Sequence, residues 1–132
     1  MKLATCNEPW KGFASIEETF RIAAGLGYEG VEIAPFTLCD DVNEVSAARR
    51  RQIAAAAADA GVQIVGLHWL FVSPPGLHLT TPDEAVRRRT ADYLRSLTDF
   101  CADLGGRVTV SYTHLRAHET PEHLVCRLLL EK

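Results

Sequence analysis

Four polar residues near the ends of apolar segments are the side chains of this sequence best suited to chemistry. Glu32 interrupts one apolar run, His68 ends another, and Asn7 and Glu8 follow the first. Carboxylate, imidazole and amide groups can hold a polar ligand by hydrogen bonds or orient a neighbouring polar group. Structural roles compete with this interpretation, since Glu32 can pair with an arginine, His68 can bond to backbone, and a polar turn explains Asn7 and Glu8.

A second set of polar residues lies near the carboxyl terminus. His114 and His118 have the spacing that places two imidazoles on one helix face, as zinc sites require. However, Glu122 stands where a His-Glu-x-x-His motif needs its second histidine, and Pro121 would interrupt a helix. We therefore predict no zinc site in this segment, and no metal ligand elsewhere in the chain.

Composition places the chain among ordinary globular proteins. Its 132 residues are 47% hydrophobic and 23% charged, with a formal net charge of −3. A mildly acidic chain does not favour nucleic-acid binding, no apolar run is long enough to span a membrane, and no signal-peptide pattern is found. We expect a cytoplasmic setting. The four cysteines are widely separated, which is typical of small buried apolar residues. They are Cys6, Cys39, Cys101 and Cys126.

These residues depend on alternating strands and helices for their positions. Apolar runs predict strands over 2–6, 30–34 and 62–68, and from residue 107 onward. A capping box at Ser15 and Glu18 predicts the start of the first helix, and helical spacing predicts a second over 44–60, ended by Gly61. For the third helix, Thr81 is the predicted cap and Pro82 the first helical residue.

The alternation predicts an α/β protein with parallel strands. Because no glycine-rich nucleotide loop follows a strand, the pattern favours part of a (β/α)8 barrel, about three and a half βα units, over a doubly wound sheet.

Residues 110–132 depart from this pattern. They resemble a translated transposase-type sequencing adaptor, whose variable index would be Pro121, Glu122 and His123. We therefore expect residues 1–109 to be the amino-terminal part of a barrel domain and residues 110–132 to be a non-native tail.

Residues 1–108 resemble the amino-terminal segment of the sugar phosphate isomerase/epimerase family, the xylose isomerase-like barrels. Four stretches carry the resemblance: residues 3–8, 27–33, 60–68 and 104–106. A complete barrel of this kind has about 250 residues, so the resemblance implies that this chain is a fragment.

The resemblance implies a parent enzyme that moves a proton next to a carbonyl through an enediolate. It also implies a divalent metal (Mn, Mg, Co or Zn), with its ligands and the proton-transfer carboxylates on later strands. We therefore expect the catalytic residues to be missing, the fragment to be inactive and to bind no metal well, and its partner to be a small sugar or sugar phosphate.

For the residues that remain, the resemblance implies substrate binding by Glu32, His68, Asn7 and Glu8, since barrel active sites lie at the carboxyl ends of strands. Two other interpretations stay open. One is a related barrel lyase or endonuclease IV-like phosphodiesterase, in which His68 would be a metal ligand. The other is a small non-catalytic α/β module, disfavoured because open sheet edges are normally covered.

Overall fold

Four parallel strands and three α-helices alternate along the part of the chain that the structure describes. The structure, a computed structural model, describes residues 2–110. Each strand pairs with the next one in the sequence, so the sheet order is β1-β2-β3-β4. A doubly wound sheet would reverse its order, and the fold is therefore a partial TIM barrel, as predicted. The elements are β1 (Ala4–Cys6), α1 (Ile16–Gly25), β2 (Gly30–Ile33), α2 (Ala47–Ala60), β3 (Gln63–His68), α3 (Glu84–Asp103) and β4 (Val108–Val110).

The start of α1 confirms the predicted capping box. The Ser15 hydroxyl accepts a hydrogen bond from the Glu18 amide at 3.2 Å, and the Glu18 carboxylate accepts one from the Ser15 amide at 2.8 Å. These bonds lower the pKa of Glu18. The local sequence alone therefore determines where this helix begins.

The other two helices begin later than predicted. The α3 cap is Asp83 and not Thr81, because the Asp83 carboxylate accepts bonds from the amides of Ala85 and Val86. Pro82 consequently precedes the helix. A short 3₁₀ turn, Val42–Glu44, occupies the predicted first turn of α2, and the helix starts after the Ser46 cap.

Helices cover one face of the sheet. The strand residues Val31, Ile33, Ile64 and Leu67 are buried there against apolar residues of the helices. The largest fully buried side chains of the helices are Phe20 of α1, Ile53 of α2, and Leu97 and Phe100 of α3. Because side chains alternate along a strand, the residues between these point to the opposite face.

Arg50 of α2 bonds to the protein and is only 14% exposed along its side chain. Its guanidinium donates to the carbonyls of Val45 and Val42 and pairs with Asp103 at 2.9 Å. It also lies over the Phe100 ring, 5.0 Å from the centroid. Arg50 therefore joins the start of α2 to the end of α3.

The pairing of β2, β3 and β4 is tight and irregular. The register shifts between Val31 and Glu32, which pair with Ile64 and Gly66. A Cβ on Gly66 would lie 1.9 Å from the carbonyl oxygen of Val108 in β4. Glycine is therefore required at position 66 by the close approach of the next strand. Among the helices of residues 2–110, none is long and apolar enough to cross a membrane.

Candidate functional site

The ends of β1, β2 and β3 bring three reactive side chains together. Cys6 is the last residue of β1 and pairs with Glu32 of β2, and His68 is the last residue of β3. The Cys6 Sγ atom, a Glu32 carboxylate oxygen and a His68 ring nitrogen all lie within 4.8 Å of one another. With Glu8, which contacts His68, these residues form what we call the strand-end cluster.

Glu8 holds the His68 ring. The chain leaves β1 through Asn7 and enters a short 3₁₀ turn, Glu8–Trp10, which points the Glu8 carboxylate back toward β3. Glu8 Oε2 lies 2.7 Å from His68 Nε2. An ionised carboxylate only accepts hydrogen bonds, so Nε2 carries the proton and, in the neutral ring, Nδ1 carries a lone pair.

The lone pair of His68 faces the rest of the cluster. His68 is 2% exposed, and its Nδ1 atom has no hydrogen-bond partner among the described residues. The nearest charged atom is Glu32 Oε2, 3.9 Å away, which is too far for a hydrogen bond. A buried polar atom without a partner is rare in folded proteins, which makes His68 a candidate functional residue.

Cys6 does not have the purely apolar surroundings that its isolated position in the sequence predicted. It is partly exposed, and its Sγ atom is 4.0 Å from Glu32 Oε2. Burial, followed by the negative charges of Glu32 and Glu8, raises the pKa of the Cys6 thiol. By contrast, Cys101 is buried as predicted.

Asn7 extends the pairing of β1 with β2 beyond the last strand residue. Its backbone amide donates to the carbonyl of Glu32 at 3.0 Å, and its side-chain oxygen accepts from the Ala34 amide at 2.7 Å. The Asn7 backbone carbonyl accepts a hydrogen bond from the Trp10 amide at 3.2 Å. The side chain thus replaces a backbone acceptor while the main chain turns away.

The side-chain nitrogen of Asn7 is also hydrogen-bonded. It donates to the Thr37 hydroxyl at 2.6 Å, and Asn7 is only 4% exposed. Of the four predicted site residues, Glu8, Glu32 and His68 are therefore brought together at the sheet edge, whereas Asn7 lies beside them with both side-chain groups bonded to the protein. Sequence reasoning did not assign Cys6 to the site. The signal was its place at the end of a strand, like His68.

Trp69 marks the sharp end of β3. Its φ of 56° lies in the left-handed region, which is uncommon for a residue other than glycine. The residue is 36% exposed. Such backbone conformations concentrate at functional sites, and this one directly follows His68. The histidines predicted to form no zinc site, His114 and His118, lie outside the described residues.

Comparison with known proteins identifies relatives of the fold. The family model described as xylose isomerase-like TIM barrel matches residues 20–130. No curated protein matches the sequence.

Solved structures with a similar fold include sugar epimerases. A D-psicose 3-epimerase in the presence of D-fructose is 20% identical, with a TM-score of 0.66. A D-psicose 3-epimerase from Clostridium cellulolyticum H10 with D-tagatose is 19% identical, with a TM-score of 0.68. Each match covers 84% of this chain and 37% of the epimerase.

A third similar structure is a xylose isomerase domain protein from Alicyclobacillus acidocaldarius. It is 20% identical with a TM-score of 0.61, and the match covers 97% of this chain and 42% of that protein. This chain therefore spans about two fifths of the length of these proteins.

Proposed function

Because the chain belongs to the xylose isomerase-like TIM barrel family, we propose that it is the amino-terminal part of a metal-dependent sugar or sugar-phosphate isomerase or epimerase. The substrate class follows from the epimerases and the xylose isomerase domain protein with the same fold. The reaction would move a proton next to a carbonyl.

One observation carries this proposal. Three side chains converge at the carboxyl ends of the strands, which is where barrel enzymes bind their substrates: Glu32 of β2, His68 of β3 and Glu8 of the turn after β1. Glu8 and Glu32 are partly exposed, whereas His68 is buried. The two carboxylates can therefore accept hydrogen bonds from sugar hydroxyls while His68 holds Glu8 in place.

In this proposal the described residues bind substrate and do not perform the chemical step. The family resemblance implies a divalent metal, which when bound would supply stabilisation for negative charge that develops on the substrate. We place the ligands of that metal, and the carboxylates that move the proton, on later strands outside residues 2–110. The chain of 132 residues is accordingly proposed to be inactive.

The test is a kinetic assay of the longer protein that this proposal requires. We expect that protein, with Mn²⁺ or Mg²⁺, to interconvert ketoses or their phosphates, as measured by chromatography of the products. Replacing Glu32 with glutamine removes a charged hydrogen-bond acceptor, which contributes about 1.5–3 kcal/mol. We therefore expect kcat/KM to fall about tenfold to a hundredfold, mostly through KM.

Glu29→Gln is the matched control. Glu29 lies just before the opposite end of the same strand, is exposed, and within residues 2–110 its carboxylate pairs with Lys2 alone, at 4.0 Å. Its replacement should therefore leave kcat/KM unchanged. The proposal fails if the long protein acts on no aldose or ketose, or if both substitutions have the same effect.

We further propose that residues 110–132 are not native to the protein. Their resemblance to a translated adaptor supports this, whereas the family-model match extends to residue 130. Chromosomal sequence from the source decides between the two: a barrel reading frame that diverges near Val108 supports the proposal, and recovery of residues 111–132 in that frame overturns it.

A further inference from the structure

The strand-end cluster has a composition that sugar binding does not require. Hydroxyl groups are recognised by carboxylates, amides and imidazoles, but Cys6 adds a thiol to the same small volume. Thiol, carboxylate and imidazole together are the ligand set of zinc and related borderline-soft cations, and a thiolate is a poor ligand for Mg²⁺ or Ca²⁺.

We propose that Cys6, Glu32 and His68 bind a zinc ion at the carboxyl edge of β1, β2 and β3. The ligand atoms are Cys6 Sγ, Glu32 Oε2 and His68 Nδ1. The leading interpretation of the sequence named no metal ligand among these residues, and only the endonuclease IV-like alternative made His68 one. The site is separate from the metal expected on later strands. The inference rests on the geometry of the cluster and not on the sugar chemistry proposed above.

Distances support the proposal. Glu32 Oε2 is 4.0 Å from Cys6 Sγ and 3.9 Å from His68 Nδ1. Tetrahedral zinc with ordinary bond lengths separates sulfur from oxygen by about 3.6 Å and oxygen from nitrogen by about 3.4 Å. Each of these two pairs therefore needs to close by only about 0.5 Å, which is within the reach of small side-chain rotations. The third pair, Cys6 Sγ and a His68 ring nitrogen, lies within 4.8 Å.

The orphaned nitrogen of His68 is the second, independent support. Nδ1 is buried, has no hydrogen-bond partner among the described residues, and faces Glu32. Glu8 accepts the proton of Nε2 and so fixes the tautomer in which Nδ1 has a lone pair. A carboxylate behind a histidine ligand is the usual arrangement in zinc sites, where it orients the ring and increases its basicity.

Charge is consistent with a bound cation. Glu8 and Glu32 place two carboxylates around one buried ring, and within residues 2–110 that ring is the basic group with which each of them pairs. On binding, the Cys6 thiol would release its proton to solvent and become a thiolate. Three protein ligands leave the fourth zinc position open to water or to a substrate oxygen.

Cobalt titration of the 132-residue chain tests this proposal. Co²⁺ substitutes for zinc, and its bond to a thiolate gives a charge-transfer absorption in the near ultraviolet. We expect one Co²⁺ per chain, with an absorption band that disappears when Zn²⁺ is added. The band should be absent from Cys6→Ser, and Glu8→Gln should keep the band but weaken binding about tenfold to a hundredfold.

Cys39→Ser and Cys126→Ser are the matched thiol controls, and both should keep the band. Thermal melting adds a readout of binding. Equimolar Zn²⁺ should raise the melting temperature of the unsubstituted 132-residue chain and not that of Cys6→Ser. The proposal is overturned if no band forms, if the band survives Cys6→Ser, or if the chain in urea gives the same band.

Discussion

The two faces of the sheet differ although they are made from alternate residues of the same strands. On the helix-covered face, Ile33 and Leu67 are fully buried among aliphatic and aromatic side chains. Their immediate neighbours, Glu32 and His68, belong to the strand-end cluster. The strands β2 and β3 thus supply apolar burial to one face and polar groups to the other, so stability and chemistry can change independently.

The energy of folding comes mainly from the helix-covered face. Full burial of a large apolar side chain contributes about 1.5–3 kcal/mol, and that face buries many of them. The strand-end cluster contributes polar groups whose burial is costly unless each is bonded. Substitutions on the two faces should therefore separate in size.

Removing a ring from the helix-covered face should have the largest effect. Phe100→Ala deletes a fully buried side chain, and we expect the free energy of unfolding to fall by about 3–5 kcal/mol. Urea titration followed by circular dichroism measures it. Phe13 is 88% exposed, so Phe13→Ala should cost almost nothing. Equal losses at both positions would contradict the comparison.

A side chain added within the sheet should have the next largest effect. Gly66→Ala places a methyl group against the backbone of β4, and we expect a cost of about 1–3 kcal/mol. Gly25 ends α1 with nothing within 4 Å of its Cβ position. Gly25→Ala should therefore stabilise the chain by about 0.5–1 kcal/mol. If both changes act in the same direction in urea titration, the close approach of β4 does not control stability.

Asn7 tests whether a polar residue beside the cluster serves the fold. Asn7→Ala leaves the Ala34 amide without its acceptor, so we expect a loss of about 1–2 kcal/mol in the free energy of unfolding. Asn7→Asp keeps an acceptor and should lose less. The exposed Asn43 is the control, since Asn43→Ala should be nearly neutral. A neutral Asn7→Ala would instead favour the predicted role of Asn7 in substrate binding.

The smallest effect should come from the outer surface of the helices. Arg49 pairs with Glu17 at 2.5 Å, and this hydrogen bond lowers the pKa of Glu17 from 4.5. A lowered pKa stabilises the fold at pH values above the pKa of an unfolded glutamate. This stabilisation is lost as the pH falls through the pKa of the folded state. Both side chains are partly exposed, so we expect Arg49→Gln to cost only about 0.2–1 kcal/mol at neutral pH.

The cost of Arg49→Gln should disappear in acid, where Glu17 is protonated in both the folded and the unfolded chain. Urea titrations at neutral and acidic pH measure the difference between the parent chain and Arg49→Gln. The exposed Arg51 provides the control, since Arg51→Gln should show no such pH dependence. A cost for Arg49→Gln that persists at low pH would show that the guanidinium acts by packing and not by charge.

Features determined by neighbouring residues could be predicted from the sequence. The capping box at Ser15 and Glu18, the left-handed Gly61 that ends α2, and the order of strands and helices all follow from local chemistry. Glu32 and His68 could be placed at one edge of the sheet because parallel strands all end on the same side.

Features that depend on pairing between distant segments could not be predicted. The register shift beside Glu32 requires β3 to be in place. The bond between Glu8 and His68 joins residues 60 positions apart, and the location of Cys6 near both carboxylates follows from the same pairing. A lone cysteine is not marked as a ligand by its residue type, and its place at the end of a strand was the one signal that the sequence offered.

The side chain of Asn7 makes the end of β1 and the loop after β2 depend on each other. Its oxygen protects the Ala34 amide while its own amide is held by Glu32. Neither proton can exchange with solvent deuterium unless the same junction separates. The end of β1 and the loop after β2 therefore open as one unit. The strand-end cluster beside them loses its order in the same local unfolding event.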